Sequence, residues 1–287
     1  MNYALDALWW RLQTPAVRDL ASLLTAPSLW HSKNALSVAD LLGETGFRYL
    51  LDLDDNPSEL LHFLAQTTDG KRLGLYAENL LAFWFTHAPH TRLLAHNLPI
   101  QNASGQTLGA LDFVVQIKTQ IHHVELACKY YGCQTGKLND FVGLNQEDKF
   151  LDKIRKLEQQ TSLSQTELAQ NALRDLGIAP EQVQTATLTR GMIFVPENTV
   201  LPKEVNPLAW RGVYGELQTA SAEQIAKWQG QRFYRLPRLA YLAPARVAED
   251  ACLSWQEASE QGSGLLAVLE KRVDGYWHEV QRLMLVA

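Results

Sequence analysis

The sequence has few cysteines and no long apolar run, and these absences exclude several classes of protein. Three of the 287 residues are cysteine, and there is no CxxC pair and no Cys/His spacing typical of zinc sites. A disulfide framework is not expected from so small and odd a number, which favours a reducing compartment and therefore a cytoplasmic protein. No apolar run approaches the roughly 20 residues that cross a bilayer, and the first residues lack the basic segment of a signal peptide, so we expect no membrane association.

Basic residues are also fewer than acidic residues. The chain has 26 lysines and arginines against 31 aspartates and glutamates, which gives a net charge of −5. Non-specific nucleic-acid binding requires lysine and arginine to neutralise phosphates, so the surface as a whole is not expected to bind nucleic acid. A local basic groove, or a metal ion that supplies positive charge, is still compatible with such a substrate. The hydrophobic fraction of 46% is ordinary for a globular protein of one large domain or two modest ones.

Helical spacing of apolar residues is typical of the N-terminal part, from residue 1 to about residue 68. The first such series consists of Leu5, Leu8, Trp9 and Leu12. A strongly apolar helix is predicted from Leu75 to Phe85, and Pro89 closes it.

The apolar period changes to two after residue 92, which predicts β-strands. The predicted strands lie at about 93–100, 108–117 and 121–131, with a later one around 192–195. Further helices are predicted at about 148–160, 165–176 and 222–228. A C-terminal hairpin is predicted from strands 265–271 and 276–286, which turn at Asp274-Gly275, a favoured turn pair.

This order of elements predicts an α/β protein in which helices flank a mixed sheet. We divide the chain into an N-terminal helical region (1–68), a core (69–197) and a C-terminal α+β accessory region (198–287), packed as one globular unit. The best candidate for a boundary is the segment 198–207.

Charged residues interrupt two of the apolar strands. Asp112 lies in the second strand, and Glu125 and Lys129 lie in the third. A two-residue turn at Lys118-Thr119 would place Asp112 directly opposite Glu125, with Cβ atoms about 5 Å apart. Two carboxylates that close repel each other unless a cation lies between them, and oxygen ligands of this kind suit Mg²⁺ or Mn²⁺. The alternative is a structural cluster of buried charges.

Two further charged residues are candidates for the same site. Glu78 lies within the apolar helix that precedes the strands and either joins the acids or faces a solvent channel. Lys153 lies in the helix that follows and either lines a phosphate groove or belongs to a solvated helix face. His122 and His123 are adjacent in a strand, so their side chains face opposite sides and cannot easily bind one ion together.

An acid on one strand followed by an acid and a lysine on the next resembles the PD-(D/E)XK nuclease superfamily. The resemblance covers roughly residues 70–160 and the strand near Met192. It implies a restriction-endonuclease-like core, a Mg²⁺ or Mn²⁺ ion held by Asp112, Glu125 and Glu78, catalysis that includes Lys129, and substrate binding by Lys153. Within the superfamily, Glu-Leu-Ala-Cys-Lys-Tyr-Tyr at 125–131 resembles an uncharacterised bacterial group, domain-of-unknown-function family 1853. The further residues that carry this narrower resemblance are Gly143, Asn145, Asp148, Lys153 and Leu157.

The sequence departs from the superfamily pattern in its spacing. Glu125 and Lys129 are four residues apart, where the pattern has two, so their Cα atoms are about 13 Å apart along a strand. Either Glu125 has shifted along the strand or Ala127 has replaced the usual acid. Ala110 also stands where the pattern has proline.

Three functions are compatible with these residues. The first is a Mg²⁺-dependent phosphodiesterase acting on nucleic acid, in which the carbonyl group of Leu126 is a further candidate ligand and Lys129 orients the metal-bound water or neutralises the phosphate. The second is a module that keeps the nuclease fold without catalysis and binds nucleic acid or protein. The third is an enzyme acting on a small phosphate compound, which fits the low net charge.

Overall fold

The computed structural model describes residues 11–66, 72–216 and 222–286. The predicted helical residues Leu5, Leu8 and Trp9, and the end of the N-terminal helical region at 67–68, lie outside these ranges. Among the described helices, none combines the length and apolarity that a membrane span requires.

The described chain is an α/β protein in which helices flank a large mixed sheet. The helices are α1 (Pro15–Thr25), α2 (Val38–Leu42), α3 (Gly46–Asp55), α4 (Ser58–Gln66), α5 (Leu73–His87), α6 (Phe150–Leu163), α7 (Glu167–Asp175), α8 (Ala222–Gln229) and α9 (Trp255–Glu260). The strands are β1 (Thr91–Gln101), β2 (Thr107–Ile117), β3 (Gln120–Gly132), β4 (Val183–Val195), β5 (Arg211–Glu216), β6 (Arg232–Arg235), β7 (Arg246–Val247), β8 (Gly264–Lys271) and β9 (Trp277–Val286).

The strands form one sheet in the order β1-β2-β3-β4-β5-β9-β8-β6, and β7 pairs with β9. The pairs β3–β4, β4–β5 and β5–β9 are parallel, and the other described pairs are antiparallel. The predicted strands at 93–100, 108–117 and 121–131 and the C-terminal hairpin are confirmed. The strand predicted around 192–195 is the end of the longer β4, and the sheet continues through β5 across the segment 198–207.

The helices cover the central strands on both faces. On one face, α1 and α5 pack against Phe113, Val124 and Leu188. Helix α5 is apolar on nearly every side because it lies between the sheet and the N-terminal helices. It ends at His87, two residues before Pro89, because the proline ring disfavours a helical conformation at Ala88. The other face is covered by the amphipathic helices α6 and α7, so side chains that point to this face from β2 and β3 lie beneath α6.

Buried hydrogen bonds join the N-terminal helix α1 to the C-terminal part of the chain. Asp19 accepts a hydrogen bond from the backbone N–H of Ala243 at 3.1 Å, and the hydroxyl of Ser22 donates to the carbonyl of Leu242 at 2.5 Å. On β9, the buried Arg282 guanidinium pairs with Glu279 at 2.7 Å and donates to the same segment. The two ends of the chain therefore stabilise each other.

Strands β3 and β4 approach closely at Gly191, which pairs with Lys129. Gly191 has φ = +131°, and a Cβ atom at this position would overlap the carbonyl oxygen of Lys129. Only glycine is compatible with both the backbone angle and the approach of the neighbouring strand.

We expect Gly191→Ala to lower the free energy of unfolding by about 3 kcal/mol, because the methyl group must displace the backbone of β3. Chemical denaturation measures this. Gly74→Ala is the control, because Gly74 lies in α5 with open space around it and the substitution should stabilise the helix by up to ~1 kcal/mol. A Gly191→Ala protein as stable as the wild type would contradict the close approach of the two strands.

Candidate functional site

The predicted register between β2 and β3 is confirmed. Five residue pairs join the strands, from Ile117–Gln120 next to the turn to Phe113–Val124. The turn is the predicted Lys118-Thr119, and Lys118 adopts the positive φ of 54° that short hairpin turns favour. Asp112 and Glu125 are therefore the next residues to face each other.

At Asp112 and Glu125 the backbone pairing of β2 with β3 ends, and side chains replace it. The backbone N–H of Asp112 lies 3.3 Å from Oε1 of Glu125, and the backbone N–H of Leu126 donates to Oδ2 of Asp112 at 2.9 Å. Strand β3 continues beside β4 as far as Gly132, whereas β2 leaves it. Each carboxylate thus binds an N–H group of the opposite strand at the point where the two strands separate.

The Glu125 carboxylate is fully buried, and three donors surround it. His123 Nε2 lies 2.8 Å from Oε1, and the side-chain amide of Gln160 donates to Oε2 at 2.8 Å. The backbone N–H of Asp112 is the third donor. His123 shares the face of Glu125, whereas its neighbour His122 points to the opposite face, as the alternation of a strand requires.

Burial and the charge of Glu125 raise the pKa of Asp112 from 3.8 to about 7. The Glu78 carboxylate raises this pKa further, while the Leu126 N–H and the Lys153 ammonium lower it. Desolvation disfavours the charged carboxylate, and the nearby acids act in the same direction. The surroundings of Asp112 therefore favour its protonated form more than water does.

Glu78 of α5 is half-buried and joins Asp112 and Glu125 in what we call the acid cluster. Burial raises the pKa of Glu78, a hydrogen bond with Asn97 lowers it, and the charge of Glu125 raises it. Asn97 is a non-glycine residue with a positive φ of 52° on the edge strand β1, a conformation that costs free energy. Glu78 in turn raises the pKa of Asp112, so the three carboxylates lie close enough for their charges to interact.

Lys129 points away from the acid cluster along β3. Its ammonium group pairs with the Asp148 carboxylate at 2.6 Å, and the other oxygen of Asp148 accepts a hydrogen bond from the Tyr131 hydroxyl at 3.0 Å. Lys129 follows Glu125 by four positions, which corresponds to about 13 Å along the strand. The structure does not show Lys129 paired with Asp112 or Glu125.

Lys153 of α6 is the lysine whose charge acts on the acid cluster. Burial is the main cause that lowers the pKa of Lys153, followed by repulsion from Lys129, while Asp112 and Glu125 oppose the shift. Lys153 belongs to the helix face that also presents Leu157 to the core and Gln160 to Glu125. Helical spacing therefore extends this face from Glu125 towards Lys129.

Within residues 11–66, 72–216 and 222–286, no three His, Cys, Asp or Glu side chains form a group that could hold a metal ion by themselves. Mg²⁺ does not require such a group, because one or two carboxylates with water and substrate phosphate complete its coordination. The oxygen donors of Asp112 and Glu125 have the chemistry that such an ion prefers.

Sequence reasoning did not assign His123, Gln160, Asn97 or Asp148 to the site. A signal was present for Gln160, because residues 153, 157 and 160 have the spacing of one helix face. His123 lies two residues before Glu125, which places both side chains on one face of β3. No such local signal exists for the pairing of Asn97 with Glu78 or of Asp148 with Lys129, because these residues are distant in the chain.

Asp112→Asn should change how stability depends on pH. A raised carboxyl pKa means that the protonated form stabilises the fold below about pH 4, and that this contribution is lost as the pH rises through about 7. We therefore expect the variant to match the wild type at pH 4 and to exceed it on the order of 2 kcal/mol at pH 8 without divalent cations.

Denaturant unfolding at both pH values measures this, with Glu158→Gln on the exposed side of α6 as the control. A less stable Asp112→Asn protein at pH 8 would contradict the repulsion between the two strand acids. A Glu158→Gln protein that shows the same pH-dependent gain would instead indicate an effect of overall charge.

No curated protein and no solved structure matches the chain. The family model described as "Domain of unknown function (DUF1853)" matches residues 18–286, which is nearly the whole sequence. This agrees with the narrower of the two resemblances that the sequence suggested. The chain belongs to the DUF1853 family.

Proposed function

We propose that this chain is a Mg²⁺-dependent phosphodiesterase acting on nucleic acid, and that its core is restriction-endonuclease-like. The observation that carries the proposal is the meeting of Asp112 and Glu125 where β2 separates from β3. Glu78 raises the pKa of Asp112, and Glu125 raises the pKa of Glu78. Positive charge from Lys153 does not offset these acids, since the pKa of Asp112 still rises to about 7. A fold keeps such repulsion at a cost, and a bound cation removes it.

Asp112 and Glu125 would hold the ion, and Glu78 would add negative charge beside them. Among the described hydrogen bonds, the Asp112 carboxylate accepts one, from the Leu126 N–H to Oδ2. Its other oxygen, Oδ1, is therefore suited to bind the ion. When bound, the ion supplies a coordinated water of lowered pKa and stabilises charge on the phosphate.

Lys153 would neutralise the substrate phosphate at this position. Its lowered pKa reflects a partly desolvated ammonium group, which interacts more strongly with an anion than a fully hydrated one does. Lys129 lies farther along β3 and acts on Lys153 by repulsion, so the two lysines form a short positive track. A track of two cations fits the successive phosphates of a nucleic-acid strand better than a single small phosphate.

A second function is favoured by a separate observation. Both oxygens of Glu125 are engaged by protein donors, and Lys129 is held by Asp148. These contacts satisfy the charged groups without any ligand, as a module that binds nucleic acid or protein without catalysis would require. The two functions differ in whether the acid cluster binds a divalent cation.

Mn²⁺ should raise the melting temperature of the wild type, because a cation that binds only the folded state stabilises it by mass action. At a hundred times its Kd the gain is about 2.7 kcal/mol. Asp112→Asn should lose this response while remaining folded, since it removes a ligand and relieves repulsion. Thermal melts with and without Mn²⁺ test both expectations.

In these melts, a wild type that is indifferent to millimolar Mn²⁺ would favour the non-catalytic module. Destabilisation of metal-free Asp112→Asn would point the same way, because a structural charge cluster weakens when one member is neutralised.

Lys153→Ala should lower Mn²⁺-dependent cleavage of DNA or RNA by about 100-fold, the size of effect seen when one charge-stabilising group is removed from an active site. Arg155→Ala is the control, because Arg155 lies on the same helix, is well exposed and pairs only with Asp152 among the described residues. Cleavage is measured on single- and double-stranded DNA and RNA.

Equal activity of the Lys153→Ala and Arg155→Ala proteins would contradict the role of Lys153. A wild type that hydrolyses small phosphodiesters but no polynucleotide would replace nucleic acid with a small phosphate compound as the substrate.

A further inference from the structure

The Glu125 carboxylate is held on both oxygens by side chains from two different elements. His123 reaches it from two residues earlier on β3, and Gln160 reaches it from α6, each at 2.8 Å. Because each donor binds a different oxygen, the carboxylate cannot rotate without breaking a hydrogen bond. His123 and Glu125 are completely buried, and Gln160 is partly buried.

This arrangement carries a cost that a purely structural contact would avoid. Nδ1 of His123 and Oε1 of Gln160 are buried, and no described protein group bonds either atom. A buried polar atom without a partner costs about 1–3 kcal/mol. Apolar side chains of similar volume at positions 123, 125 and 160 together would remove that cost and the buried charge.

Three donors converge on the two oxygens of Glu125. The backbone N–H of Asp112 and Nε2 of His123 meet Oε1, and the side-chain amide of Gln160 meets Oε2. The side chain that faces Asp112 is thereby held in one orientation.

We propose that His123 and Gln160 are positioning residues, which hold the Glu125 carboxylate fixed in orientation so that it can bind a divalent cation together with Asp112. This inference rests on the metal site of the proposed function. Neither residue touches the substrate or the ion, and each acts through Glu125, as the partners behind metal ligands commonly do.

Mn²⁺ affinity is the property that tests this, because a residue with a merely structural role would change stability and leave the affinity alone. The variants are His123→Leu and Gln160→Leu, which remove one donor each, and His123→Gln, which returns an amide donor near the position of Nε2. His122→Leu is the matched control, since His122 is the neighbouring residue on the opposite face and also has a buried Nδ1 without a described partner. Electron paramagnetic resonance measures free and bound Mn²⁺ on each folded protein.

We expect His123→Leu and Gln160→Leu to weaken Mn²⁺ binding by 10- to 100-fold, the usual range for such partners. His123→Gln should recover part of the loss, and His122→Leu should bind Mn²⁺ like the wild type. If His123→Leu does not fold, Gln160→Leu and His123→Gln decide the question.

Unchanged Mn²⁺ affinity in the folded His123 and Gln160 variants, with a wild type that binds Mn²⁺, would overturn the positioning role and leave the metal site in place. An equal loss of affinity in His122→Leu would overturn it as well, because the effect would then not depend on the face of Glu125. A wild type that binds no Mn²⁺ would overturn both the positioning role and the proposed metal site.

Discussion

Strand β2 leaves β3 at Asp112 and Glu125, and there each carboxylate accepts a hydrogen bond from a backbone N–H group of the opposite strand. Up to Phe113–Val124 the backbones of β2 and β3 pair with each other. Beyond this pair each strand pairs only on its other side, β2 with β1 and β3 with β4. The two carboxylates bind the N–H groups of Asp112 and Leu126 at this point. Because the two carboxylates are buried beneath α6, it is unfavourable for both to carry a charge so close together. The other charged groups of the site lie around this pair.

The two acids are not equivalent, because their surroundings differ. Glu125 is enclosed by His123, Gln160 and a backbone donor, which together engage both of its carboxylate oxygens. Asp112 receives one backbone hydrogen bond, and the charge of Glu125 raises its pKa to about 7. Among the described hydrogen bonds, the Asp112 carboxylate therefore has one oxygen without a donor, whereas both oxygens of Glu125 are engaged. The proposed cation site and the proposed positioning residues both follow from this asymmetry.

The hairpin that carries the acids could be predicted from sequence because its register follows from a short turn and an alternating strand. Strand β4 was placed only at its C-terminal end, and β5 was missed, since parallel strands pair with neighbours distant in the chain and leave no local turn signal. The position of Lys129 relative to Glu125 followed from strand spacing. Its partner Asp148 did not, because the loop after β3 determines where that carboxylate lies.

The most direct test of the account is a crystal structure of the wild-type protein grown with Mn²⁺, with the ion located by its anomalous scattering. We predict a single strong peak in coordination distance of an Asp112 carboxylate oxygen, on the side that faces Glu125. Diffraction data that show no ion there, with both carboxylates still bonded to the N–H groups of Asp112 and Leu126, would contradict the claim that these acids form a cation site.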